Sequence, residues 1–279
     1  MDLVCVRDLK KSYLRRHGLF ARGARIRALD GASLSVRAGS ILALVGESGS
    51  GKTTLARCVA HLERPDSGEI RMEDQSIANL RGESLSRLRR DVQLVFQDPA
   101  SALNPRFSAC EIVQEPMNVQ KIGSRAERLR RSKEIMEQVG LSPSLYDNSP
   151  LELSGGQRQR LAIARALMLE PKLLILDEAF SALDLSIQAQ LVNLLLDLRT
   201  ARTLTCLFIT HDLGLASYVA DEIALMHMGR IVERLLPSEL FSGAHHPQMQ
   251  VLLNSVPKDL PQISRITQLV DPGQITPYF

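Results

Sequence analysis

The chain is poor in cysteine. Cys5, Cys58, Cys110 and Cys206 stand far apart with no CxxC pair, which excludes a disulfide scaffold and leaves free thiols in a reducing compartment as the expectation. Long apolar runs are missing as well. The longest, Ile41–Val45 and 173–176, are strand-sized and far short of the roughly 18 to 20 apolar residues of a membrane helix. Excess charge of one sign is absent, since 34 Lys and Arg against 31 Asp and Glu leave +3. That balance gives no ground for a nucleic-acid partner. The start, Met1-Asp2-Leu3-Val4-Cys5-Val6-Arg7-Asp8, has no basic stretch followed by an apolar one, so no secretory signal is read and the cytoplasm is expected.

What is present is an ordinary globular composition, 44% hydrophobic and 23% charged over 279 residues, enough for one large α/β domain or two smaller ones. Short β-branched runs recur at Ile41–Val45, 92–96, 173–176 and 206–210. Between them, 53–62, 125–139, 157–169 and 186–199 carry apolar residues at three- and four-residue intervals. Alternating strands and helices predict a largely parallel, doubly wound sheet. Residues 3–13 and 32–36 alternate like half-buried antiparallel strands, and 68–72 is expected to join them. Residues 98–155 hold no strand-like run, the basic stretches 81–90 and 124–133 read as solvated helix faces, and Pro247, Pro257, Pro261, Pro272 and Pro277 are expected to break any long helix beyond about Pro237.

Directly after the strand ending at Val45 comes Gly46-Glu47-Ser48-Gly49-Ser50-Gly51-Lys52-Thr53-Thr54, followed by a helical stretch. This is the G-x-x-x-x-G-K-[ST] pattern in its strand-loop-helix setting. Backbone N–H groups curl round phosphates there, the helix start adds partial positive charge, Lys52 reaches the β- and γ-phosphates and Thr53 takes Mg²⁺. The strand 173–176 runs into Asp177-Glu178, at the edge where open α/β sheets bind ligands. Asp177 is expected to complete the Mg²⁺ site directly or from its outer coordination sphere. Neighbouring residues on extended backbone point different ways, so Glu178 is free to polarise the attacking water as general base.

Leu153-Ser154-Gly155-Gly156-Gln157 opens the helix leading into that strand. Ser154 and Gln157 form an S-x-x-Q capping box, and two glycines at a helix start also offer an anion site. With this set in order, the chain resembles the ATP-binding cassette family, the nucleotide-binding subunits of ABC transporters, over about residues 3–240. The resemblance implies an α/β fold: a P-loop NTPase (RecA-like) core with a mostly parallel sheet, an antiparallel β subdomain and an inserted helical subdomain. The cassette is expected at 1–240, its helical insert at about 98–165 and a C-terminal tail at 241–279.

The same resemblance implies ATP and Mg²⁺ as cofactors and an ATPase site shared by two cassettes. Ser154, Gly155, Gly156 and Gln157 would then meet the γ-phosphate held by another subunit, with Asp184 in the loop Ser181-Ala182-Leu183-Asp184 crossing between them. Gln97 falls where the family senses Mg²⁺ and the attacking water, His211 where it places a γ-phosphate switch, and Tyr13 where an aromatic stacks on adenine. One departure stands out: Ala179-Phe180 follows Glu178 where the family most often has Pro-Thr or a similar pair.

Gln97-Asp98-Pro99-Ala100-Ser101-Ala102-Leu103-Asn104-Pro105-Arg106, Gly18-Leu19-Phe20 and His245-His246-Pro247 resemble the peptide and nickel importer branch. That branch implies two membrane permeases, a second and related ATPase subunit, and an extracytoplasmic binding protein, at the cytoplasmic face of the inner membrane. Peptide is the first substrate expected and nickel the second. A soluble cassette ATPase and an accessory subunit uncoupled from transport remain as alternatives. The histidine pair reads as an exposed loop, and the absence of cysteine beyond Cys206 argues against an iron–sulfur tail.

Overall fold

The computed structural model describes residues 1–15, 24–98, 102–181, 183–242 and 245–255. Gly18-Leu19-Phe20, Pro99-Ala100-Ser101, Ala182 and the prolines from Pro257 onward lie outside the described residues.

Two sheets organise the chain. The first is antiparallel, in the order β2 (Ala24–Arg37), β1 (Asp2–Arg15), β4 (Ser67–Met72), β5 (Gln75–Ser76). The second runs β10 (Arg230–Leu235), β9 (Glu222–His227), β3 (Ile41–Val45), β8 (Thr205–Ile209), β7 (Leu173–Asp177), β6 (Val92–Val95). All its pairings are parallel except the β10 edge. The antiparallel and parallel expectations both hold, with β1 and β2 longer than the alternating residues alone marked.

The apolar runs are continuous because both faces of the central strands are covered. Ile41, Ala43 and Val45 of β3, with Leu174 and Leu176 of β7, enter the core beneath the helices. Leu42, Leu44, Leu173 and Ile175 enter the opposite core with the antiparallel sheet and α1 (Lys52–Val59). This is the two-residue strand period read in three dimensions. Burial keeps the core thiols un-ionised: Cys58 is pushed up to about 12, and Cys206 is held above its ordinary value.

The stretch without strands is helical. It contains α3 (Ala109–Gln120) and α4 (Arg125–Gln138), capped by Ser108 and Ser124, while α5 (Gly155–Leu167) returns the chain to the sheet. An Arg165–Glu115 ion pair at 2.9 Å ties α5 to α3. The basic stretch before β6 forms α2 (Gly82–Asp91), on which only Leu88 is buried, as a solvated face requires. The long α6 (Leu185–Arg202) joins β7 to β8, and α7 (Leu213–Val219) joins β8 to β9.

Two expectations about the chain's end are corrected. Pro247 does not break a helix but begins one, α8 (Pro247–Ser255), because the first helical position needs no N–H donor. The preceding histidine is not on an exposed loop. The His245 ring is 8% exposed and its Nδ1 lies 2.8 Å from Glu233 Oε1 on β10, while Glu233 Oε2 accepts the His246 N–H at 3.1 Å. Met249 of α8 is fully buried in the larger core. Met249→Ala should therefore lower unfolding free energy by about 2–5 kcal/mol in urea titrations; a change under about 0.5 kcal/mol would show that α8 contributes nothing to the cassette's stability.

Candidate active site

The site gathers at the carboxyl ends of β3, β8, β7 and β6, where neighbouring parallel strands deliver their loops to one rim. From β3 the chain turns through Gly46 and Gly51, with φ of 152° and 110°. A Cβ on Gly46 would stand 2.3 Å from the Met226 carbonyl oxygen, and one on Gly51 2.3 Å from that of Ala28, so only glycine fits at either end of the loop. Lys52, 4% exposed, donates to the carbonyls of Gly46 at 2.8 Å and Glu47 at 2.9 Å. Burial lowers its pKa, and the Glu178 and Asp177 carboxylates work against that fall.

Asp177 ends β7 and accepts a hydrogen bond from Thr53 Oγ1 at 3.2 Å. Burial raises its pKa; the Thr53 bond opposes the rise and the Glu178 charge adds to it. Glu178 is the point of convergence. Its Oε1 lies 3.9 Å from Lys52 Nζ, and its Oε2 accepts from Gln97 Nε2 at 3.2 Å and lies 3.8 Å from His211 Nδ1. The extended backbone expected at Glu178 is not what turns its side chain away from Asp177. Its φ is +48°, a left-handed conformation costing roughly 1–2 kcal/mol in a non-glycine residue.

The oxygens present fit Mg²⁺ and a polyphosphate. Ser50 Oγ is buried without a hydrogen-bond partner among the described residues, and the space that a Cβ on Gly49 would enter is open for 4 Å. The Thr53 hydroxyl and Asp177 carboxylate are the hard oxygen donors Mg²⁺ selects.

Tyr13, 38% exposed, stands at the far end of the phosphate loop on β1. Its hydroxyl donates to Glu63, the Thr54 side chain is also in hydrogen-bond reach, and Lys11 Nζ lies 5.7 Å from the ring centroid. Burial and the Glu63 bond raise its pKa. Glu63, which also pairs with Arg57 at 3.3 Å, was invisible in the sequence because nothing local links it to Tyr13.

Ser154 caps α5. Its Oγ accepts the Gln157 N–H at 3.3 Å, and Gln157 Oε1 accepts the Ser154 N–H at 2.8 Å. These bonds are local to the helix start and leave the phosphate loop untouched. A Cβ on Gly156 would lie 2.8 Å from Ile187 Cγ2, and one on Gly155 3.7 Å from Leu183 Cδ2. Gly156 thus packs against Ile187 of α6 and Gly155 against Leu183 just ahead of it, and the α6 N-cap Asp184 makes no side-chain capping bond.

A family model described as ABC transporter matches residues 29–181. The chain belongs to the ABC transporter family. It is 44% identical over 254 residues, 90% of this chain and 77% of the relative, to the oligopeptide transport ATP-binding protein AppF of Bacillus subtilis. It is 43% identical over 255 residues, 91% of this chain and 79% of the relative, to the di/tripeptide transport ATP-binding protein DppF of Pseudomonas aeruginosa. Among solved structures it resembles the dimeric post-hydrolysis state of an ATP-binding cassette bound to ADP and Pi, at 30% identity and a TM-score of 0.74 over 84% of this chain and 98% of that one. The α/β cassette fold with its parallel core, expected from the motifs, is therefore established, and the protein is an ATPase of the ABC type that uses ATP and Mg²⁺.

The raised pKa of Asp177 has a thermodynamic consequence. The folded chain keeps that proton to higher pH than the unfolded chain does, so the Asp177 contribution to stability falls as pH rises through the carboxylate range. The stability of the native chain relative to Asp177→Asn should decline as pH rises above the ordinary aspartate pKa of about 3.9. A flat or rising difference in urea titrations would contradict the buried charge.

Proposed function

We propose that this cassette powers the uptake of di- or oligopeptides, one of two ATPase subunits beneath two membrane permeases fed by an extracytoplasmic binding protein. The observation that carries the reading is the meeting of Lys52, Gln97 and His211 at the Glu178 carboxylate beside an intact phosphate loop. A non-catalytic relative would have no need of that arrangement. The peptide assignment comes from the AppF and DppF relatives. Nickel, the other substrate weighed from sequence, draws no support from them.

In this reading Gly46, Glu47, Ser48, Gly49, Ser50, Gly51, Thr53 and Thr54 hold the phosphates through backbone and hydroxyl groups, and Tyr13 packs on the adenine. Thr53, Asp177 and Gln97 hold Mg²⁺, which supplies charge neutralisation on the phosphate oxygens. Glu178 takes a proton from the attacking water, while Lys52 and His211 offset charge on the γ-phosphoryl group. Ser154, Gly155, Gly156 and Gln157, with Asp184, complete the site of the opposing cassette. One chain then holds only part of a working centre, and closing and reopening the pair performs work on the permeases.

A groove of about 360 Å³ between β6 and the helical layer is lined by Leu62, Arg89, Phe96, Glu115, Val119 and Arg165 among others. It lies beside Gln97, and its mixed lining, with the apolar Leu62 and Val119 exposed, suits a short amphipathic permease helix. No helix among the described residues is long and apolar enough to cross a membrane, in keeping with a subunit bound to the cytoplasmic face of the inner membrane. Residues 1–240 form the cassette with the insert at about 98–165, and 241–279 form the tail, in which α8 docks through Met249.

Tagged purification from detergent-solubilised native membranes, with mass spectrometry of what accompanies the chain, tests the assignment. Two multi-span permeases and a second cassette subunit are expected, with peptide on the associated binding protein. Recovery from the soluble fraction alone, with no permease, would overturn it.

A further inference from the structure

We propose that Phe180 is a positioning residue for Glu178, anchoring the catalytic loop to the strand that carries the His211 switch. The inference rests on the reading of Glu178 as general base. Its starting point is the departure at Ala179-Phe180, which the ATPase chemistry leaves unexplained.

One ring contact and five hydrogen bonds make the anchor. The Phe180 side chain is 1% exposed and its ring packs against Phe208, also 1% exposed, with centroids 5.5 Å apart and planes inclined at 57°. Phe208 precedes Ile209, whose carbonyl accepts the Glu178 N–H at 3.0 Å, and stands three residues before His211. The Phe180 carbonyl accepts from Gln188 Nε2 on α6 at 2.8 Å and from the Leu183 N–H at 3.3 Å. Ser181 adds its hydroxyl and N–H to the Glu178 carbonyl at 2.9 and 3.2 Å.

Among the described residues of this turn Glu178 alone has a left-handed backbone, and such a conformation persists only where its surroundings over-determine it. Two residues of chain span at most about 7 Å, so there is little slack between the buried ring and the carboxylate. Loss of the ring frees the turn to relax and moves Glu178 off Gln97 and His211. A threonine at position 180 would have no ring to pack on Phe208.

The test is ATP hydrolysis by the assembled transporter carrying Phe180→Ala, with Glu178→Gln as reference. The kcat of Phe180→Ala is expected to fall about 10-fold or more, since displacement of a reacting group by about 1 Å can cost about 100-fold. KM for ATP should stay within about twofold, because the phosphate loop is untouched, and Phe180→Leu, which keeps the site filled, should recover most of the rate. Wild-type kcat in Phe180→Ala, or no recovery in Phe180→Leu, overturns the positioning role while Glu178→Gln remains slow. Wild-type kcat in Glu178→Gln instead overturns the reading on which it rests. Should Phe180→Ala fail to fold by circular dichroism, Phe180→Val is measured in its place: reduced kcat at constant KM supports the proposal, and an unchanged kcat or a parallel loss of ATP affinity overturns it.

Discussion

The architecture turns on one carboxylate held among three partners. Glu178 faces Lys52 through one oxygen, and Gln97 and His211 through the other. Lys52 is a buried ammonium whose charged form is disfavoured by desolvation, and the Glu178 and Asp177 carboxylates are what oppose that penalty. Removing Glu178 would leave a buried charge less compensated and the Gln97 amide without its acceptor. Binding chemistry and local stability are therefore written in the same residues.

Strand order explains how groups so distant in sequence meet. Gln97 follows β6, Asp177 ends β7, His211 follows β8 and the phosphate loop follows β3. These four strands are consecutive neighbours in one parallel sheet. Parallel pairing sends each following loop to the same edge, and the full burial of β3, β7 and β8 fixes their relative positions. The helical layer contributes the Ser154 helix start at one end of α5 and, through Ala162, Arg165 and Ala166 further along it, one wall of the groove proposed for the permease.

Much of this was legible from the chain alone because the relevant signals are local. The apolar runs marked β3 and β7 to within a residue, and the G-x-x-x-x-G-K-[ST] spacing located the phosphate loop. The Ser154–Gln157 box marked the start of α5, and its reciprocal bonds are present. The hidden features are those set by tertiary contact. No propensity reports a left-handed glutamate, whose φ is decided by the Ile209 and Ser181 hydrogen bonds around it. The Glu63 partner of Tyr13 is fifty residues away. The edge strand β10 reads as charged and mixed because its residues are half-exposed, and Pro247 looked like a breaker because position within the first helical turn is settled only by the docking of His245 and Met249.

The central claim is that Glu178 and the groups meeting on it act as a single catalytic unit, and a double-mutant cycle in single-turnover ATP hydrolysis tests it most directly. Glu178→Gln and His211→Ala are combined in the assembled transporter. Residues acting as a unit are strongly non-additive, so the double variant should be little slower than Glu178→Gln alone. Losses that multiply, each substitution slowing the reaction independently of the other, would contradict the account.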